Sequence, residues 1–563
     1  MLLKNDERRN KRQLAIIDMK GRAANRNPSN ADPSGVYWGA MSGQFYACQG
    51  NTLTGREVIV AMAKAYEETE GSLTDRLMAA LVAADCAGGD HRGRLAAGIR
   101  IAKTGVDGFW FELYTDQSQD AVADLLKKYV KTEHPAKGVW STESKPFSHS
   151  CNERSLQEIN PPSEPSDPTK IIALVGGRLI DGRGGLPVND SVVIVKGSKI
   201  IAVGARDTLT IPTEAETVDI QGLSLLPGLI DSHFHSKDSV RTPVEFELKH
   251  GITSFRDPGH PFRFYDAVKK SNRMMPRVFL CGGHLDAHPP VWADQAIVIR
   301  DSEHARNTVN EHVDRGASAI KVYFRLPLEH IAAVCEAADK RNVFVTAHLE
   351  LVDADDAIKA GVRGIEHVTS FGTALAKPDR AKSFKAQIFA DSNARRKLRP
   401  WLWAGINLDS SPRVKPLLET LVKHQVFVSP TLAIFEARVG EKNTTSDQVN
   451  GFANMIKFVG LCRKAGAKIV VGSHTSAPFA ESGRAYQREL ELLVEAGLSP
   501  MEAIRSATQI NAQFFGIDDR LGTIEIGKTA DLTLVDGDPS QDIAAMRSVK
   551  HVMLNGIWVG ESP

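Results

Sequence analysis

Short apolar runs recur through the central part of the chain, and most empty into polar or charged residues. Eight stand out: "LLPGLIDSHFH" (225–235), "GITSFRD" (251–257), "RVFLCGG" (277–283), "SAIKVYF" (318–324), "VFVTAHLE" (343–350), "GIEHVTS" (364–370), "VFVSPTL" (426–432) and "KIVVGSH" (468–474). Runs of this length, bounded by turn residues, predict strands buried on both faces. Amphipathic stretches lie between most of them. In "PLEHIAAVCEAADKRN" (327–342), Leu328, Ile331, Val334, Cys335 and Ala338 share one helical face. Strand and helix alternating eight times predict an α/β fold, a (β/α)8 TIM barrel spanning residues 226–519. The long basic stretch 371–425 predicts extra helices near the barrel mouth.

The flanks read differently. Residues 171–225 and 520–563 are short apolar segments broken by glycine turns. They predict a small β-sandwich built from both ends of the central region. Ahead of them, 148–170 is polar and rich in Pro and Ser, which predicts a linker. Residues 1–147 then form a separate α+β module. Two helices are expected there. One spans 55–71, with Val58, Met62, Ala65 and Tyr66 on one face and Gly71 closing it. The other spans 72–89, with Ser72 as N-cap and Asp75 three residues on. The Gly-rich turn after it presents Asp90, His91, Arg92 and Arg94, read as a charged loop.

Composition narrows the function classes. A chain of 563 residues exceeds one ordinary domain and can bury a large core without disulfides. Its 42% apolar and 24% charged residues are ordinary for a soluble protein. A net charge of +1 supports neither nucleic acid nor an anionic membrane as partner, which leaves a small-molecule substrate. The six cysteines are scattered and form no C-x-x-C pair, so neither a cysteine zinc site nor a disulfide framework is expected. The charged start lacks the apolar core of a secretory signal, and no run is long enough to cross a bilayer. Cytoplasm is the expected location.

The strand endings carry the chemistry. The first ends in His233 and His235, the fourth holds Lys321, the fifth His348, the sixth His367 and the eighth His474. Residues two apart on a strand share a face, so His233 and His235 can bind one ion together. All these ends fall on the rim where barrel enzymes place their sites. Four histidines on three strand ends, with a lysine on another, predict a metal centre. For substrate, His284 in "CGGHLDAHPP" is a candidate to polarise a carbonyl, and Asp286 or His288 to line the pocket. Tyr323 shares the face of Lys321 and is a candidate for a carboxylate or oxyanion. Arg256 and Asp257 end the second strand, where a salt-bridged structural role is expected.

These residues resemble the amidohydrolase superfamily, in particular its imidazolonepropionase- and prolidase-like members. "GLIDSHFH", "GASAIKVYF", "VTAHLE", "GIEHVTS" and "SPMEAIRSATQINAQFFGIDDRLGTIEIGKTADLTLVDGDP" carry the likeness, over about residues 171–560. The resemblance implies a carboxylated Lys321 bridging two metals, with His233 and His235 on one and His348 and His367 on the other. Zn2+, as one or two ions, suits this donor set. It also implies hydrolysis of a carbon–nitrogen bond in an amide, dipeptide, N-acyl amino acid or cyclic amide, with deamination or decarboxylation as alternatives, and a homo-oligomer. A degenerate, non-catalytic site is a further alternative. The family's eighth strand normally ends in aspartate, and here it ends in His474. Three outcomes stay open: His474 binds the metal, it shuttles the proton as catalytic base and acid, or the site is inactive. Losing an anionic ligand implies weaker metal occupancy and a preference for substrates bearing a carboxylate. Separately, "RQLAIIDMKGR", "CQGNTLTGREVIVAMAKAYE" and "AGGDHRGRLAAGIRI" resemble the second half of an uncharacterised family related to N-terminal-nucleophile hydrolases. The strands that would hold the nucleophile are missing, which implies an accessory or dimerisation module.

Overall fold

The computed structural model describes residues 6, 12–27, 37–53, 56–87, 89–90, 96–116, 118, 121–131, 166–268, 271 and 273–563. The chain divides into two compact units. One comprises residues 1–155 with the short segments 237–239 and 260–270, and the other the remainder.

Among the described residues of the first unit, three antiparallel strand pairs accompany three helices. The pairs are Leu14–Ile17 with Ala23–Arg26, Tyr37–Gly43 with Tyr46–Leu53, and Ala97–Ile101 with Phe111–Thr115. The expected helices occupy Arg56–Glu68 and Leu73–Cys86, and a third spans Ala121–Lys131. Ser72 starts the second helix with a reciprocal cap. The Asp75 N–H donates to Ser72 Oγ at 3.2 Å, and the Ser72 N–H to Asp75 Oδ2 at 2.8 Å. Met78, Ile99 and Leu125 join one buried cluster. Cys86 takes part in a disulfide, contrary to the expectation from cysteine spacing, whereas Cys48, Cys281, Cys335 and Cys462 are free. Asp90 bridges to Leu53, while His91, Arg92, Arg94 and the linker up to residue 165 lie outside the described residues.

The second unit carries two antiparallel-rich sheets and two parallel ones. In the five-stranded sheet Leu223–Pro227 pairs antiparallel with Leu532–Asp536, so the two flanks share one ladder. The four-stranded sheet consists of Ile171–Val175, Ser191–Lys196, Lys199–Ala205 and Glu216–Asp219. Leu174 and Val193 from it are buried with Leu225, Leu532, Leu534 and Met553 from the other. Each fully buried side chain of this kind contributes ~1.5–3 kcal/mol.

All pairings in the other two sheets are parallel. One sheet orders Leu229–Asp231, Ile252–Asp257 and Arg277–Leu280. The other runs Ala296–Val298, His284–Asp286, Ala319–Val322, Phe344–Ala347, Gly364–Glu366, Phe427–Ser429 and Lys468–Ile469. Each of the eight expected runs contains one of these strands. The ladder nevertheless stands in two pieces, not in one closed eight-stranded sheet. Bonds outside the ladders link the pieces, among them Ser318 N–H to Leu280 O at 2.8 Å and Ser232 N–H to Val471 O at 2.8 Å. Strands 284–286 and 296–298 were not expected, since neither lies in one of the eight apolar runs. The helix expected at 327–342 spans Leu328–Lys340 and buries Ile331, Val334, Cys335 and Ala338, but Leu328 opens its first turn and stays exposed. The basic stretch 371–425 holds helices Gly372–Leu375, Pro378–Ala390, Arg395–Ala404 and Val414–Lys423.

Candidate metal centre

His233 and His235 leave the first strand beside the end of the eighth, and backbone bonds fix the two segments together. Asp231 Oδ1 accepts the N–H of both His233 (2.9 Å) and Ser473 (3.0 Å). The His474 N–H donates to His233 O at 2.7 Å, and Thr475 Oγ1 accepts the His235 N–H at 2.9 Å. Gly472 permits this approach: a Cβ there would meet His233 Cβ at 2.7 Å and Ser429 Oγ at 2.8 Å. His233, His235, Lys321, His348, His367 and His474 thereby line one cavity of about 330 Å³, together with Tyr323 and His284.

The histidines converge. His233, His235 and His474 offer ring nitrogens all within 4.8 Å of one another. The His367 ring centroid lies 4.5 Å from those of both His233 and His348. Protein partners hold the opposite edges of several rings. His233 Nδ1 lies 2.6 Å from Glu366 Oε2, so its Nδ1–H donates to the carboxylate and Nε2 keeps a lone pair. His367 Nδ1 is tethered to Thr431 Oγ1 at 2.7 Å. At His348 Nε2 two partners compete: Arg399 lies at 2.8 Å and can only donate, whereas Glu350 Oε1 at 3.2 Å can only accept. An Nε2–H facing Glu350 is the tautomer that leaves His348 Nδ1 as a ligand.

Burial sets the charge states. It pulls the Lys321 amine down to about 8, against the attraction of Glu366. Lys321 Nζ makes no hydrogen bond among the described residues and sits 3.9 Å from Glu366 Oε1. Burial alone would raise Glu366, but the charges of Lys321 and His233 and the bonds from His233 and Thr346 hold it well below the usual carboxylate range. His474 is pushed down to about 3 by burial and by its neighbour His233, so it is a neutral imidazole. Burial likewise keeps His348 and His367 neutral. A lone pair on each ring and an unsatisfied buried amine fit a divalent metal centre whose lysine is carboxylated.

Of the expected substrate contacts, Tyr323 and His284 line the cavity, whereas Asp286 and His288 do not. Tyr323 OH accepts the Trp292 indole N–H at 3.0 Å, and its ring lies 4.5 Å from His284. Asp286 does not line the cavity. Its carboxylate accepts three backbone N–H groups, from Ala287, Val291 and Arg325, and so shapes the loop. His288 is exposed and also lies off the cavity. Arg256 forms no ion pair among the described residues. It is fully buried, donates to Phe514 O at 3.1 Å and lies 4.2 and 4.3 Å over the Phe514 and Phe515 rings. Asp257 Oδ1 instead lies 3.9 Å from His235 Nδ1.

The sequence did not single out Glu366, Glu350 or the arginines at the cavity. Glu366 adjoins His367, and neighbours on a strand point to opposite faces. Positive φ at His367 (64°) breaks that alternation and lets both serve one site. Glu366→Gln retains shape but weakens the hold on the His233 tautomer. Metal affinity is expected to fall ~10–100-fold, read by competition against a chromophoric chelator.

Residues 224–559 match the amidohydrolase family across more than half of the chain. The chain belongs to the amidohydrolase family. Residues 1–125 match a family of unknown function, DUF1028. Among amidohydrolase relatives, the adenine deaminase of Leuconostoc citreum is 23% identical over 382 residues, covering 67% of this chain and 58% of the relative. Adenine deaminase 1 of Desulfotalea psychrophila is 24% identical, covering 61% and 51%. The chain thus spans a little over half the length of these relatives. A putative prolidase from Bifidobacterium longum has the same fold, with a TM-score of 0.54 at 23% identity, covering 70% of this chain and 96% of that one.

Proposed function

We propose that the chain is a metal-dependent hydrolase of carbon–nitrogen bonds, acting on an amide, dipeptide, N-acyl amino acid or cyclic amide. Lys321 carries this reading: a buried amine without a hydrogen-bond partner among the described residues, beside histidines with lone pairs to offer. The two parallel sheets are read as arcs of one (β/α)8 barrel, supported by the bonds linking their edges. His233, His235 and His474 would hold one Zn2+, and His348 and His367 a second. Carboxylated Lys321 would lie between them: its neutral amine attacks CO2, the N–C bond forms and a proton leaves. Bound divalent ions would supply a water of lowered pKa and polarise the scissile carbonyl. Glu366 orients His233, Glu350 selects the His348 tautomer, and Tyr323 and His284 face the substrate. The first unit is proposed as an accessory module.

Metal content and turnover on a panel of dipeptides, N-acyl amino acids and cyclic amides test the proposal. Apo protein given zinc under a fixed partial pressure of CO2 should gain activity faster as pH rises from 6.5 to 8.5, since only the deprotonated lysine reacts with CO2. A protein that retains no zinc and turns over nothing would sink it. The adenine deaminases among the relatives support a second reading, deamination on the same site. Ammonia release from adenine, with no amide cleaved, would favour that one.

A further inference from the structure

The helix Arg395–Ala404 sends Arg395, Arg396 and Arg399 to the lining of the cavity, and among the described residues no aspartate or glutamate lines it. The Arg399 charge is answered, because its Nε donates to Glu350 Oε1 at 2.6 Å. Arg395 is different. It is 5% exposed, yet it forms no ion pair among the described residues. One donor goes to Ser392 O at 2.5 Å, and the guanidinium carbon lies 5.6 and 5.9 Å from the Trp292 and Phe324 rings. A carbonyl and two aromatic faces position the guanidinium, and the Glu350 carboxylate acts on it only from beyond ion-pair distance while bonded to Arg399, so this desolvated cation lacks a counter-ion of its own, which is costly. Arg396, exposed at the same cavity, also has no ion pair among the described residues. Adjacent residues on a helix diverge by ~100°, so the two arginines address two separate groups and do not fork on one.

We infer that Arg395 and Arg396 bind two carboxylates of the substrate, which is an N-acyl derivative or dipeptide of aspartate or glutamate. This rests on the carbon–nitrogen hydrolase reading. Water adds to the acyl carbon, the C–N bond breaks, and the nitrogen takes a proton, releasing a carboxylic acid and the amino dicarboxylate. Guanidinium–carboxylate bonds are charge-assisted and lose most of that strength against an amide.

The experiment uses the zinc-loaded full chain. N-acetylglutamate is compared with N-acetylglutamine for kcat/KM, and glutarate with its monoamide for binding by calorimetry. The dianion is expected to be preferred about tenfold or more in both. Arg395→Gln, at the side-chain carboxylate, should bring both ratios to within about twofold, Arg396→Gln, at the α-carboxylate, should weaken N-acetylglutamate and N-acetylglutamine alike by about tenfold, and Arg395→Lys should retain part of the preference. Thermal melts show that each variant is folded. A wild-type ratio near one, or ratios unchanged in Arg395→Gln, overturns the assignment. Should no substrate be cleaved, the hydrolase reading fails, and the glutarate ratios still decide the arginine assignment.

Discussion

Lys321→Ala is expected to abolish measurable hydrolysis, lowering kcat/KM by at least ~10³-fold, or about 4 kcal/mol of transition-state stabilisation. The size follows from what the side chain would do. A carbamate there would supply two oxygens sharing one negative charge at the centre of a site whose histidines are neutral. Without it, two dications would face each other across neutral imidazoles, and repulsion would expel one. Alanine leaves a void lined by Glu366, whose carboxylate is already committed to His233 and Thr346 and cannot take over. Metal analysis should show occupancy falling with activity. Acetate or propionate, small enough for the void, should restore part of both. Full occupancy and wild-type activity in the alanine variant would remove Lys321 from the centre.

The candidate ligands were legible because strands make them so. A parallel strand buried on both faces is an apolar run, and a histidine or lysine at its end is conspicuous. That logic found His233, His235, Lys321, His348, His367 and His474, all of which meet in one cavity. It failed where the chain leaves regular geometry. Glu366 was masked by the positive φ of His367. Glu350 follows His348 by two residues and looked like any strand-end charge until the helix Arg395–Ala404 brought Arg399 onto it. The arginines themselves lie in a long basic insertion that predicts helices but not which face turns toward the cavity. Arg256 was misjudged for a related reason: the partners of a buried guanidinium can be aromatic rings far along the chain, here Phe514 and Phe515.

Two variants at His474 should separate its possible roles, and the backbone dictates which variants to use. His474 has φ of 55° and Thr475 of 77°, a region that asparagine and aspartate enter more readily than alanine. His474→Asn is therefore the neutral control and His474→Asp the anionic one. With a ring nitrogen within 4.8 Å of those of His233 and His235, and a pKa pushed to about 3, His474 is a neutral imidazole with one lone pair to offer. As a ligand, it should lose metal affinity ~10–100-fold or more on change to asparagine. Aspartate should bind metal more tightly than the wild type, since a unit charge pair at ~4 Å is worth ~4 kcal/mol at an effective dielectric of 20. The pH profile gives the independent readout. A group titrating at about 3 stays deprotonated throughout pH 5–9, so kcat/KM should show no acid limb that belongs to His474. A proton shuttle would behave oppositely. It would place an acid limb near ~6.5, which asparagine would erase while leaving metal affinity intact. Chelator competition and pH profiles on the three proteins distinguish a histidine that has replaced the aspartate as ligand from one that has replaced it as base.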